Sequence, residues 1–200
     1  MPAINRTIRE QITDHIRNEL VAGNLAAGEP LREEQLAEQF GTSRGPIRDA
    51  FLQLSNEGFL AYEANRGVTV RHPPDDTNRE FIVSLRQQIE SFIVRQGFPT
   101  KSAELDDTLK DKLKELETAC EVGDVAAIAT ADVAFHQTLL VVCGGEDFLP
   151  IWRWLCSQMM MTYSRLTEFD EILSEHVEIS EAFSQRKKQA TVAALKKNIC

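Results

Sequence analysis

The stretch Leu31-Arg32-Glu33-Glu34-Gln35-Leu36-Ala37-Glu38-Gln39-Phe40-Gly41-Thr42-Ser43-Arg44-Gly45-Pro46-Ile47-Arg48-Asp49-Ala50 decides how this chain is read. Two short helical patterns meet there at a tight turn. Leu36, Ala37 and Phe40 share one face of the first, and Gly41 stands where the chain needs a positive φ to leave that helix. Ser43 suits the N-cap of the second helix, and Pro46 falls in its first turn, where a missing N–H costs little. Ile47, Ala50, Phe51 and Leu54 keep helical spacing and point inward. Arg44 and Arg48 lie one turn apart on the outer face, where a guanidinium forks onto guanine O6 and N7 or grips a phosphate.

Downstream, Gly58 stops the helix. Phe59, Leu60 and Tyr62 begin a strand, Asn65-Arg66-Gly67 turns, and Val68 and Val70 alternate back. The order is helix-turn-helix plus wing, with Arg66 at the wing tip. It predicts a protein whose second helix enters the major groove of double-stranded DNA. Taken alone, the arginines would also suit a solvated helical hairpin. The capping serine, the arginine pair and the basic wing together favour DNA.

The segment resembles the GntR family of bacterial transcription regulators. Leu31-x-Glu33-x-x-Leu36-Ala37, the run Gly41 to Ala50, Leu54-x-x-Glu57-Gly58 and Arg66-Gly67-Val68-x-Val70 follow its pattern. So does the opening, where Ile8, Ile12, Ile16 and Leu20 form one apolar face before Gly23-x-Leu25-x-x-Gly28. The resemblance covers the first 72 residues and implies operator contacts from Ser43, Arg44, Pro46, Arg48, Arg66 and Gly67.

Charge qualifies this reading. The chain carries a formal net charge of −9, and residues 1–72 hold eight arginines, no lysine and ten acidic residues. A general polyanion binder would be basic overall. A local positive face on an acidic body predicts salt-sensitive, selective binding instead. Cys120, Cys143, Cys156 and Cys200 form no CxxC pair, so neither a zinc knuckle nor a disulfide framework is suggested. The apolar runs read as too short to span a bilayer and no signal peptide opens the chain, so a cytoplasmic protein with no membrane partner is expected.

His72-Pro73-Pro74-Asp75-Asp76-Thr77 breaks the pattern, with Asp75, Asp76 or Thr77 available to cap a following helix. The expected organisation is a DNA-binding domain over 1–72, a linker over 73–78 and an all-helical domain over 79–200. Apolar periodicity after the linker predicts an all-α bundle of about six helices. The fold class is therefore mainly α: an N-terminal winged helix-turn-helix followed by an all-α helical bundle.

Asp132 and His136, four apart, share a helix face, and His176 follows Glu175 on another helix. A carboxylate and two imidazoles suit zinc, nickel, manganese or iron. The same spacing also suits a surface ion pair and satisfied core histidines. Arg86 reads either as an i,i+4 partner of Glu90 or as a cavity arginine that forks onto a carboxylate. Met159, Met160, Met161, Trp152 and Trp154 read as core or cavity lining, and His15 as a surface residue.

The second domain resembles the FCD effector domain of the FadR-type branch, through Arg86-x-x-x-Glu90, Asp132-x-x-Phe135-His136 and Glu175-His176-x-x-Ile179. This resemblance implies a divalent metal on one Asp and three His, which helps hold a small carboxylate effector. Asp132, His136 and His176 match three ligands. Asn198 stands where the fourth, a histidine, is expected, and an amide oxygen is a poorer ligand for a transition metal. Arg86 and Arg165, the latter near Tyr163, are the implied effector contacts. The expected function is an effector-controlled regulator, a repressor, working as a homodimer on a roughly palindromic operator. The alternatives are a constitutive DNA-binding protein whose ligand site has decayed, and a metal-dependent enzyme. The chain shows no activated nucleophile or general base beyond the ligands, so an enzyme is not expected.

Overall fold

The computed structural model describes residues 6–63, 67–99, 103–161 and 169–199. It divides between Pro73 and Pro74 into two compact units.

In the first unit α1 (Ile8–Val21) opens on a capping box, in which the Thr7 hydroxyl accepts from the Glu10 N–H and the Glu10 carboxylate accepts from the Thr7 N–H. Ile12, Ile16 and Leu20 are buried as their spacing requires, whereas Ile8, in the first turn, is 38 % exposed. Next come β1 (Pro30–Leu31), α2 (Glu33–Gln39), α3 (Arg44–Glu57), β2 (Leu60–Glu63) and β3 (Gly67–Val70). The sheet is antiparallel in the order β1-β3-β2, with Leu31 opposite Val68 and Tyr62 opposite that same residue. Two residues are too few to show alternation, so β1 left no mark in the sequence. Pro30 tolerates this place because an edge strand has no need of its N–H.

Ile47, Ala50, Phe51 and Leu54 are all fully buried, and Arg17 from α1 forks onto the Glu57 carboxylate at 2.9 and 3.1 Å. Gly41 and Gly58 take left-handed φ values of 59° and 91° at the two helix exits. Ser43 is at the N-cap with extended backbone, but its side chain makes no capping hydrogen bond. That corrects the capping role expected of it: the backbone position is filled without the hydroxyl. His15 is half-buried, edge-on to Phe40 at 5.2 Å, and not a free surface residue.

The second unit contains α4 (Asp76–Gly97), α5 (Ala103–Val122), α6 (Val125–Val142), a 3₁₀ turn (Glu146–Phe148), α7 (Leu149–Met160), α8 (Phe169–Ser184) and α9 (Lys188–Asn198). Asp75 caps α4 by accepting from the Asn78 N–H at 2.8 Å, so this helix starts inside the stretch expected to be linker. Asp124 caps α6 in the same way, accepting from Ala126 and Ala127.

Against expectation, α6 is an 18-residue helix apolar enough by length and composition to cross a membrane, with mean hydropathy 1.6. Its place in the bundle explains the composition. A helix enclosed on several sides is apolar on several sides. Phe135, Leu139 and Leu140 join Trp152, Ile179, Phe183 and Leu195 in one core. Trp154 departs from its reading as core and is 37 % exposed. Two residues on from Trp152 is about 200° round the helix, so the two tryptophans face opposite ways.

Candidate functional site

Two groups of residues carry chemistry, one in each unit. In the first, α3 presents Arg44 and Arg48 with side chains 53 % and 62 % exposed. Arg44 donates to Glu34 at 2.8 Å and Arg48 to Glu33 at 2.7 Å. Both carboxylates sit in the first turn of α2. Exposed pairs of this kind are worth about 0–1 kcal/mol, so little holds either arginine to its carboxylate. Ser43 is exposed beside them, and Pro46 is half-buried in the first turn of α3. Gly67 starts β3 with φ 79° and open space around it. Arg66 lies outside the described residues.

In the second unit the centre is built on Glu90 of α4, which is fully buried. Its Oε1 accepts from Arg86 Nε at 2.8 Å and from the Trp152 indole at 2.7 Å, and its Oε2 accepts from His136 Nδ1 at 2.7 Å. Burial on its own would raise the Glu90 carboxyl. The His136 and Arg86 side chains beside it outweigh burial and hold it at about 2. An ionised carboxylate only accepts, so His136 Nδ1 carries the hydrogen. His136 Nε2 then faces the other way.

His176 is fixed by the same logic. Its Nδ1 lies 2.7 Å from the Ile172 carbonyl, which only accepts, so Nδ1–H donates. Its Nε2 is a buried lone pair with no hydrogen-bond partner among the described residues. Burial pushes the His176 imidazole down to about 4 against the pull of Asp132, which leaves it neutral. Neutral imidazole is the form a metal ion takes. Burial opposes the Asp132 charge, but His176, His136 and Arg86 hold its carboxyl below the usual range.

These groups converge. Asp132 Oδ1 is 4.0 Å from His136 Nε2, and Oδ2 is 3.8 Å from His176 Nε2. The ligand atoms of Asp132, His136 and His176 all lie within 4.8 Å of one another. Asn198 of α9 joins them: its Nδ2 donates to Glu175 at 3.1 Å, and its Oδ1 lies 2.9 Å from His136 Nε2. Two cis ligands at about 2.1 Å from one metal ion stand about 3.0 Å apart. Only Asn198 Oδ1 and His136 Nε2 already stand at that spacing; Asp132, His136 and His176 are a carboxylate and two imidazoles close enough to hold a divalent cation once they draw in around it. Arg86 Nη2 is buried without a hydrogen-bond partner among the described residues, 3.7 Å from Asp132. The pairing of Arg86 with Glu90 is present, and it is buried. Arg86 still turns one N–H toward the centre. Arg165 lies outside the described residues.

The amino-acid pattern had marked Asp132, His136, His176 and Arg86, with Glu90 as a partner of Arg86, but not the acceptance by Glu90 from His136 or the donor role of Trp152. Nothing local pointed to either, since His136 is 46 and Trp152 is 62 residues from Glu90. Glu33 and Glu34 were also missed as partners of the α3 arginines, because the pairs span 15 and 10 residues.

Residues 8–70 match the family described as bacterial regulatory proteins, gntR family, and residues 81–199 match the FCD domain. The chain belongs to the GntR family and carries an FCD domain. Among its relatives is the probable D-xylose utilization operon transcriptional repressor of Paenarthrobacter nicotinovorans, 27 % identical over 77 % of this chain and 67 % of the relative. The HTH-type transcriptional repressor RspR of Escherichia coli is 24 % identical over 96 % of this chain and 86 % of its own length. The solved structure of E. coli McbR/YncC shares the fold, with a TM-score of 0.79, 20 % identity and coverage of 97 % of this chain and 94 % of that one. A putative GntR regulator from Rhodococcus sp. RHA1 superposes with a TM-score of 0.77 at 22 % identity, over 96 % and 93 %. This GntR protein is a transcriptional regulator, and its family is one of regulators and not of enzymes.

Proposed function

We propose that this regulator reads a roughly palindromic operator as a cytoplasmic homodimer and is controlled by a small carboxylate bound beside a divalent metal in the FCD domain. Arg44 and Arg48 contact base edges or phosphates from α3, with Ser43 and Pro46 at the helix start and Arg66 and Gly67 on the wing. Asp132, His136, His176 and Asn198 hold the metal. When bound, the ion supplies a Lewis-acidic point for the effector carboxylate, and Arg86 Nη2 supplies a charge-assisted donor to it. The observation that carries the effector reading is the buried, unsatisfied pair of His176 Nε2 and Arg86 Nη2 around Asp132. An acceptor and a donor left unpaired in a protein interior each carry a desolvation cost that a cation and an anion together relieve.

A constitutive protein with a decayed site is the weaker reading. The lone pair on His176 is preserved, and Asn198 offers an oxygen in place of the expected imidazole. Regulation requires only that the ligand bind one arrangement of the heads more tightly than the other.

The two sites are separable by mutation. Arg48→Ala should weaken operator binding by about 1–3 kcal/mol, as expected for a lost bidentate base contact. His136→Ala should leave operator affinity within twofold to threefold of wild type (about 0.5 kcal/mol) and abolish the response to carboxylates. Fluorescence anisotropy on an operator selected from random duplexes measures both. Equal loss of DNA binding in the two variants would show that the division of labour is wrong.

A dimer face is supported by the exposed residues Phe81 and Phe92 of α4 and Ile151 and Trp154 of α7. Phe92 meets Phe148 edge-on at 5.8 Å, which links the α4 residues to the turn before α7. Eleven residues bring Phe81 and Phe92 back to about the same side of the helix. Sedimentation should give a dimer for wild type and a monomer for Phe92→Glu. A wild-type monomer at micromolar concentration refutes this face.

A further inference from the structure

We infer that Glu175 is the residue that makes Asn198 a metal ligand, by holding the amide so that its oxygen and not its nitrogen faces the centre. This rests on the metal reading above. A carboxamide has two nearly equal ends. Left to itself, Asn198 could turn either end toward the centre, and its NH₂, which only donates, would offer a metal ion no lone pair. Glu175 prevents this. Its carboxylate only accepts, and it takes the Asn198 Nδ2 at 3.1 Å. A flipped amide would set Oδ1 against Glu175 Oε2, two acceptors in contact. Glu175 is itself largely enclosed, with its side chain 14 % exposed and Lys197 Nζ 3.8 Å away. It immediately precedes His176 on α8. One turn of α8 thus supplies a ligand and also orients the ligand that comes from α9.

The consequence is a donor set of two imidazole nitrogens and two oxygens. Oxygen donors suit harder, octahedral ions, and imidazoles suit zinc, nickel and iron. Relative to a three-imidazole centre, this one is shifted toward manganese(II). Removing Glu175 leaves every ligand residue in place and releases only the amide.

The test is calorimetric titration of metal-free full-length protein with Mn²⁺ alone and Zn²⁺ alone. Glu175→Ala should weaken Mn²⁺ binding about 10–100-fold, the usual effect of losing a residue that orients a ligand. Glu175→Gln, which keeps the shape but donates as well as accepts, should weaken it too, and stands in if the alanine variant does not fold. Asn198→Asp separates orientation from charge, because a carboxylate presents an oxygen whichever way it turns. In that background Glu175→Ala should cost less than about threefold. Asn198→His should raise the preference for Zn²⁺ over Mn²⁺. The same loss on removing Glu175 in both backgrounds means that Glu175 acts only through its charge and overturns the inference. Undiminished binding in Glu175→Ala overturns it while leaving the metal site standing. Wild-type protein that takes up neither ion overturns the metal site as well.

Discussion

Glu90→Ala should destabilise the C-terminal unit by about 3–5 kcal/mol, the usual cost of removing one partner from a buried ion pair. Glu90 is the acceptor for three buried donors from three helices: Arg86 of α4, His136 of α6 and Trp152 of α7. Alanine leaves the Arg86 Nε–H, an indole N–H and an imidazole N–H without the acceptor they share, and none is exposed enough to find water. Urea unfolding followed by tryptophan fluorescence reads the loss. Glu90→Gln should fall between wild type and alanine, since its oxygen still accepts but no longer balances Arg86. A loss under about 1 kcal/mol for Glu90→Ala would mean that the carboxylate is not what holds these helices together.

Gly97→Ala should cost about 3 kcal/mol or more, at or beyond the usual range for overpacking. Gly97 closes α4 against the end of α6. A Cβ there would stand 1.7 Å from the Cys143 carbonyl oxygen and 2.7 Å from its carbon. The obstacle is backbone, so no rotamer change relieves it, and α4 must move away from α6. That displacement also moves Arg86 and Glu90 relative to His136. Thermal denaturation together with Mn²⁺ titration should therefore show both a lower Tm and weaker metal binding. Gly45→Ala is the control, because its Cβ would meet only the Ser43 hydroxyl at 3.8 Å. A Tm for Gly97→Ala equal to that of Gly45→Ala would show that the α4–α6 approach is looser than described.

Both predictions fall on the helices that carry the centre, and this is physically coherent. A ligand site made from α4, α6, α8 and α9 requires those helices to hold their spacing. A buried carboxylate with three donors and a glycine contact are two ways of setting it.

The amino-acid order by itself determined the DNA-reading unit and the bundle class. Gly41, Pro46 and Gly58 mark helix ends through rules that act within a turn, and the buried run Ile47, Ala50, Phe51, Leu54 follows from the 3.6-residue period alone. Asp132 and His136 were legible as a pair for the same reason, being four apart on one helix. The hydroxyl of Ser43, the exposure of Ile8 and Trp154 and the strand at Pro30–Leu31 were not, because each depends on what lies across the fold. Only tertiary structure decided the rest. Arg17 reaches Glu57 across 40 residues, Glu90 gathers donors up to 62 residues away, and Asn198 faces the centre because Glu175 lies beside it, 23 residues earlier. Local periodicity fixes which face of a helix is buried. Which atom of a buried side chain accepts and which donates is set by partners that only folding brings within 3 Å or so.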